Sequence, residues 1–367
     1  MNILITNFHP NNGGGHRTYL NYLFNYISDL KNINVYIAVP KSSKLNLDIR
    51  TKFSSQVFDV DFPGKPKNFL QIFKNVKILA KLIKQNKIHI VHTNGTPDHK
   101  IVMLCKWIYK LDLKVIRTKH DANQLKDNYF SKILYKKFTD HLILVSNFQK
   151  KQIKDLSVLK KLSVIHNGVD LNYFRPQKKS KKVLEDYSIF ETNIVFVSTA
   201  GTNLNKGWPL LIEAISRLDQ NYIDKFKIII AGKVPPQKHI DLYIKRFRLE
   251  NQVIFTGLID DIRQILSVAD FGFVLSKKEA LSFACREMMA MGVPVLVTSN
   301  TGLSENIKNG KNGWIVNSSI DEIESFLKSL NSINKKEFSE LAYQTAKNEF
   351  DIESWAQKTI NVYYNLI

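Results

Sequence analysis

The chain has 367 residues, 44% of them apolar, enough to bury a substantial core, and the usual domain size makes two domains the expectation. Its 53 Lys and Arg against 33 Asp and Glu give a net charge of +20, and its two cysteines, Cys105 and Cys285, stand far apart with no C-x-x-C or Cys/His cluster. That argues against a disulfide framework and structural zinc; no run approaches eighteen apolar residues and no basic-plus-apolar leader precedes the first strand, so a cytoplasmic protein is expected.

Taken in order, short apolar runs alternate with amphipathic stretches. Ile3 to Thr6, Val35 to Val39, Ile88 to His92, Val115 to Thr118, His141 to Val145 and Leu162 to Ile165 read as buried strands. A second series runs through Ile194 to Ser198, Lys227 to Ala231, Val253 to Thr256, Phe271 to Leu275, Val293 to Thr298 and Trp314 to Val316. Strand, helix, strand repeated in this way implies parallel sheets with helices on both faces. The expected class is α/β, with two doubly wound, Rossmann-like domains. Residues 172–193 combine Pro176, a lysine run and weak periodicity, which predicts a linker between a first domain, 1–171, and a second starting at 194.

The charge is lopsided. Through residue 165 there are 28 Lys and Arg against 10 acids, and beyond it 25 against 23. A basic half beside a near-neutral one predicts that the first half meets something anionic, since compositional drift alone would not spare the second. Residues 67–87 add Phe69, Ile72, Phe73, Val76, Ala80 and Ile83 on one helical side among five lysines from Lys74 to Lys87. That pattern suits a helix packed on the sheet, or a peripheral contact with an anionic membrane surface. The chain lacks an RNP-like aromatic pair and a zinc knuckle, so no nucleic acid partner is expected.

In open α/β sheets, ligands sit outside the carboxyl ends of the strands. There, "KKEALSFACREMMAMGVPVLVTSN" (277–300) places Glu279 in a loop and Glu287 in a helix that Ser282 caps and Gly292 and Pro294 stop. The amides after Glu279, through about Ala284, are the unpaired donors of a helix start, which attract phosphate. Glu287 is then within reach of two vicinal ribose hydroxyls, and Glu279 of hydroxyls on the other side. Either glutamate by itself is equally a dipole partner or a solvated loop residue. In the first half, "NFHPNNGGGHRTYLNYLF" puts Gly13, Gly14 and Gly15 between a strand and a helix, without the spacing or the later acid of a dinucleotide site. His92 and His120, the latter followed by Asp121, end strands at the carboxyl edge. Asp260-Asp261 precedes a helix and reads as an N-cap, so no metal site is expected.

These stations resemble the retaining glycosyltransferases of family 4, whose fold is called GT-B. Glu279, Glu287, Met289-Ala290, Gly292, Pro294 and Val295 match the family's E-x7-E motif in order. "VIHNGVDLNYFRP" (164–176), "FTGLIDDIRQILSVADFGFVLS" (255–276), "NTGLSENIKNGKNGWIV" (300–316) and "FDIESWAQKTINVYYNLI" (350–367) look like four further family segments in register, along nearly the whole chain.

The resemblance implies two domains facing a cleft. The first, 1–171, is acceptor-side; the second, 194–349, binds a nucleotide-sugar; residues 350–367 form a helix crossing back to the first. It implies that Glu287 holds the ribose, while Glu279 with Ala280, Leu281, Ser282 and Phe283 holds the donor sugar. Gly257, Gly14 and Gly15 approach the donor as well, and Lys206 neutralises the diphosphate, where a fixed cation stabilises the leaving group. His120 contacts the reacting sugar, and His16, Arg17, His92 and Asp121 lie on the acceptor side. The family's arginine before the lysine is missing from "AGTNLNK": either another residue replaces it, with Arg263 and Lys233 as candidates, or the donor or its affinity is unusual. The implied reaction is front-face transfer with retention, needing no metal or cofactor beyond the nucleotide-sugar. The implied acceptor is a glycan or lipid-linked glycan of lipopolysaccharide or another bacterial surface polysaccharide. A nucleotide-sugar epimerase or glycosyl phosphorylase of the same fold, and a polyanion-binding protein, are the competing expectations.

Overall fold

Runs such as Ile3-Leu4-Ile5 and Ile228-Ile229-Ile230 are apolar toward both faces, which suits a strand covered by helices on each side. Both are wholly buried in the computed structural model, which describes residues 1–11, 14–64, 69–125, 127–155, 157 and 159–367. The chain divides into two compact units: Met1–Gly168 with Ile352–Ile367, and Val169–Asp351.

The first unit runs β1 (Asn2–Thr6), α1 (Gly15–Ser28), β2 (Asn34–Val39), α2 (Lys44–Arg50), β3 (Val57–Asp59), α3 (Phe69–Gln85), β4 (Ile90–Thr93), α4 (Thr96–Ile108), β5 (Lys114–Lys119), α5 (Tyr129–Phe138), β6 (His141–Leu144), α6 (Asn147–Lys151) and β7 (Leu162–Val164). The second runs α7 (Lys181–Asp186), β8 (Ile194–Ser198), α8 (Trp208–Ile215), α9 (Gln220–Ile223), β9 (Phe226–Ile230), α10 (Gln237–Tyr243), β10 (Val253–Phe255), α11 (Arg263–Leu266), β11 (Phe271–Val274), α12 (Phe283–Ala290), β12 (Val295–Thr298), β13 (Gly313–Val316), α13 (Ile320–Lys328) and α14 (Lys335–Glu349). Helix α15 (Ile352–Tyr364) belongs to the first unit. The strands pair in parallel, in the orders β3-β2-β1-β4-β5-β6-β7 and β10-β9-β8-β11-β12-β13. Each order reverses once, between β1 and β4 and between β8 and β11. Ligands of doubly wound sheets bind at such points.

Three details differ from the sequence expectations. The predicted linker is packed into the second unit: Phe174, Val183 and Ile189 are buried in the same core as Val195 and Met288, and the unit boundary falls at Gly168. The edge strand β3 was not expected, although Phe58-Asp59-Val60-Asp61-Phe62 alternates apolar and polar residues with the period of a strand. Helix α3 is split along its length. Its C-terminal part buries Val76, Leu79, Ala80 and Ile83 against the sheet, whereas Phe69 and Phe73 near its start are 68% and 59% exposed.

Helix α15 is fastened by buried polar contacts as well as by packing. Trp355 meets the Tyr19 ring at 4.8 Å, and the Tyr363 hydroxyl lies 2.7 Å from His92 Nδ1. His92 Nε2 is taken by Thr118 Oγ1 at 2.7 Å, and the imidazole is fully buried. With both nitrogens engaged, His92 offers no atom to an acceptor, contrary to expectation. It anchors the last helix. Tyr363→Phe leaves Nδ1 buried and unpaired, which costs about 1–3 kcal/mol. We expect a lowered Tm and faster amide exchange in α15, with β8–β13 unaffected, measurable by hydrogen-deuterium exchange.

Candidate active site

Strands β8 and β11 are neighbours at the reversal of the second sheet, and the loop after each carries one half of an ion pair. Lys206 Nζ stands 2.7 Å from Glu279 Oε2. Gly207 closes the turn bearing Lys206 at φ 77°, and a Cβ there would fall 1.9 Å from the Leu275 carbonyl oxygen. Only glycine permits this approach of the two loops. Trp208 Nε1 secures the turn by donating to the Thr202 carbonyl oxygen at 2.9 Å.

Residues behind the 279–282 loop fix its path. The Gly302 amide donates to the Glu279 carbonyl at 2.9 Å, and Asn306 Nδ2 donates to that of Leu281 at 2.8 Å. Asn306 Oδ1 in turn accepts from Arg286 Nε at 2.7 Å. Arg286 is 1% exposed and stacks 4.1 Å from the Phe350 ring centroid; burial lowers its pKa to about 10. A Cβ on Gly302 would lie 1.6 Å from the Ala280 carbonyl oxygen, so the loop must move to admit one. Gly302→Ala is therefore expected to lower stability by about 1–3 kcal/mol, as overpacking does, and to weaken nucleotide-sugar binding. Thermal melts and titration of the same preparation measure both.

Ser282 caps α12 as expected, its hydroxyl accepting from the Cys285 amide at 3.4 Å, but it does so at φ 74°. That region costs a non-glycine residue about 1–2 kcal/mol, and such strain concentrates at functional sites. Ala280 and Leu281 bury their side chains, so the loop offers its main chain. The amides of Ala280, Leu281, Phe283 and Ala284 meet no acceptor among the described residues. A helix start with free donors is an anion site. Glu287, in the second turn of α12, is partly buried and has no hydrogen-bond partner among the described residues. Desolvation pushes its carboxyl up to about 7.

The loops after β9 and β10 complete this edge. Gly257, at φ 73°, accepts from the Gly232 amide at 3.0 Å, and a Cβ on Gly232 would press on the Gly201 Cα at 3.1 Å. Of the two candidates for the missing arginine, Arg263 is engaged elsewhere. It pairs with Asp261 through two nitrogens, at 2.8 and 2.6 Å, and lies 3.8 Å from the Tyr173 ring centroid. Lys233 remains: its carbonyl oxygen accepts from the Thr202 hydroxyl, which ties it to the β8 loop, and its side chain is exposed. Asp261 also accepts the Arg263 amide at 3.0 Å, one residue ahead of the α11 cap position.

In the first unit, three imidazoles gather at the carboxyl ends of β1 and β5. The His16 ring lies 4.3 Å from that of His120 and 4.5 Å from that of His9. Burial holds all three below the usual histidine range, His16 at about 3, so they are neutral near pH 7. His120 Nε2 is 2.9 Å from Asn94 Oδ1. The Asn94 amide nitrogen donates to the carbonyls of Thr6 and His92, which fixes its orientation. His120 Nε2 therefore carries the proton and Nδ1 is the ring's acceptor. Gly14, at φ 50°, caps α1 and is exposed beside Gly15, while Gly13 lies outside the described residues.

Two expected acceptor-side groups are otherwise occupied. Arg17 is held by Asp48, Nε at 2.5 Å and Nη2 at 2.9 Å. Asp121 is paired with Lys119 at 2.9 Å; burial pushes its carboxyl up, but Lys119 and the Asn123 amide outweigh this and hold it below the usual range. Sequence reading passed over Gly207, Arg286, Asn306, His9 and Asn94. The signals available were the glycine after Lys206, an arginine between the two motif acids, and a second histidine across the glycine loop.

Residues 13–173 match the family model described as glycosyltransferase family 4, and residues 179–350 the one described as glycosyl transferases group 1. The chain belongs to glycosyltransferase family 4. The enzyme is similar to the O-antigen biosynthesis glycosyltransferase WclY of Escherichia coli, 25% identical over 325 residues that span 80% of this chain and 86% of that protein. It is also similar to the UDP-Gal:alpha-D-GlcNAc-diphosphoundecaprenol alpha-1,3-galactosyltransferase of Escherichia coli, 24% identical over 317 residues, 82% and 81% of the two chains. Among solved structures, Anabaena Alr3699/HepE in complex with UDP superposes with a TM-score of 0.84 at 17% identity, covering 100% of both chains. At that identity the likeness speaks for the fold, which is GT-B.

Proposed function

We propose that this transferase moves a sugar from a nucleotide-sugar donor to a glycan or lipid-linked acceptor of a bacterial surface polysaccharide, with retention at the anomeric carbon. The observation that carries the donor reading is the grouping of the Lys206–Glu279 pair, the free amides ahead of α12 and the solvent-starved Glu287 around one strand-order reversal. The amides and Lys206 receive the diphosphate, with Lys233 supplying the second cation. Glu287 accepts two ribose hydroxyls, and Glu279 accepts hydroxyls of the donor sugar. The complex of Alr3699/HepE with UDP supports a nucleotide-sugar as the donor.

Front-face displacement follows from this chemistry. As the C1–O bond to the diphosphate loosens, positive charge grows on the sugar and negative charge on the departing oxygen. That oxygen takes the proton of the acceptor hydroxyl as it attacks from the same side. The enzyme contributes position and electrostatics: Lys206 and the helix start stabilise the leaving group, without a metal or further cofactor. His120 supports the sugar through Nδ1 as a hydrogen-bond acceptor, with His16 beside it. The O-antigen relatives support the surface-glycan reading. No described helix is long and apolar enough to cross a membrane; we place the enzyme in the cytoplasm, at the inner face of the membrane.

A thermal-shift panel of nucleotide-sugars on wild type and Glu287→Ala tests the donor reading. One nucleotide-sugar should stabilise the wild type and fail on the variant. Equal responses from both proteins to every ligand would refute the ribose role.

A further inference from the structure

In the first unit, Arg117 on β5 is 3% exposed and hydrogen-bonded to Tyr135, yet its Nε and Nη1 make no hydrogen bond among the described residues. Asp98 is near enough to act on it electrostatically, but spends one carboxylate oxygen on the Thr6 hydroxyl (2.7 Å) and the Asn94 amide (2.8 Å), while its other oxygen makes no hydrogen bond. No ion pair of Arg117 occurs among the described residues. A buried guanidinium with idle donors is costly unless something anionic completes it. The space in front of it is a cavity of about 270 Å³ between the start of α4 and helix α5, lined also by Lys100, Lys119, Asn128 and Ser131. Asp121 is the one carboxylate among the lining residues, and Lys119 already pairs with it. The pocket is thus a net-positive, polar recess at the carboxyl end of the sheet.

Lys100 and Phe130 also line a second cavity, of about 660 Å³, within the roughly 300–1,000 Å³ range of small-molecule sites. This one is apolar. It runs between α3 and α4 past Phe73, Met103 and Trp107, of which Phe73 and Trp107 are 59% and 67% exposed. Exposed aromatic surface on this scale marks a binding surface rather than an ordinary solvated face. A single ligand spanning the two cavities has an anionic head and an apolar tail.

We propose that the two adjoining cavities form one site for a lipid phosphate: the phosphate or diphosphate sits on Arg117 and Lys100, and the hydrocarbon chain lies in the groove between α3 and α4. The inference rests on the reading of the enzyme as a transferase with a lipid-linked acceptor, and it deepens that reading by giving the lipid a binding place. It also accounts for why the basic excess and the exposed start of α3 occur in the same unit. The head group meets a fixed, buried cation in a pocket rather than diffuse surface charge.

Calorimetric titration of the full chain with farnesyl diphosphate, farnesol and inorganic diphosphate tests the site. Farnesyl diphosphate should bind at least about tenfold more tightly than either fragment. Arg117→Gln should reduce that affinity about tenfold or more, and Phe73→Ser, an exposed position that leaves the core intact, should reduce it as well. If Arg117→Gln fails to fold, Lys100→Glu and Phe73→Ser decide the matter. Affinity no better than that of farnesol or of inorganic diphosphate, or unchanged in the folded variants, overturns the proposal. If the wild type shows a nucleotide-sugar shift but no farnesyl diphosphate binding, the lipid site alone falls; if it shows neither, the transferase reading of the donor site falls with it.

Discussion

Glu287→Ala is expected to weaken nucleotide-sugar binding by about a hundredfold or more while leaving the fold as stable as before, or more so. The two halves of this result have one cause. Burial raises the Glu287 carboxyl to about 7 and no donor among the described residues compensates it, so in the free enzyme the ionised group is a liability. Two ribose hydroxyls would supply the missing donors, and hydrogen bonds to a charged group are worth about 1.5–3 kcal/mol each. The pH dependence follows with a definite sign. Because the folded pKa lies above the usual glutamate value of 4.5, the proton held by Glu287 stabilises the fold fully below that value, and this contribution is lost as pH rises through about 7. Against Glu287→Gln, the wild type should lose on the order of 2–3 kcal/mol between about pH 4.5 and 8. Donor affinity should move oppositely, rising from about pH 6 to 8 as the carboxylate ionises, and staying flat in the glutamine variant. Melts and calorimetry across that range check both slopes.

Lys206→Ala is expected to reduce kcat by about a hundredfold to a thousandfold, the usual loss when one fixed stabiliser of developing charge is removed. The fold should barely respond, since the Lys206–Glu279 pair is partly exposed, at 32% and 18%, and such pairs contribute at most about 1 kcal/mol. The pair also predicts an asymmetry in its partner. In the free enzyme Glu279 occupies the ammonium that, on the proposed reading, would meet the diphosphate. Glu279→Gln should therefore bind a nucleoside diphosphate as well as the wild type or better, yet bind the intact nucleotide-sugar less well, because the sugar hydroxyls lose their acceptor. Kinetics of the two single variants and the double variant, with binding of both ligands, separate these contributions.

The elements that were legible in the sequence were those whose chemistry is local. Strands such as β1, β9 and β12 announce themselves because burial on both faces leaves an unbroken run of three apolar residues, and the loop-to-helix passage around Glu279 and Ser282 follows from capping residues and helix stops. The predicted linker failed for the opposite reason. Val183 follows a lysine run in a helix too short to show a period, Ile189 lies just after it, and only the tertiary core reveals that both are buried. His92 and Arg17 illustrate the same limit at the site. Each occupies the expected strand end or helix start, but the partners that remove them from service, Tyr363 and Asp48, are 271 and 31 positions away. Likewise, nothing near Arg286 or Gly302 in sequence indicates that they set the path of the 279–282 loop. Long-range contacts, not residue types, decide whether a polar group is available to a ligand.

A crystal structure of the enzyme with the nucleoside diphosphate of its preferred donor is the most direct test of the account. The ribose should lie on Glu287, with the diphosphate at the amides ahead of α12 and within ion-pair distance of Lys206. A nucleotide found on the first sheet, or on the second with Glu287 and Lys206 untouched, would contradict it.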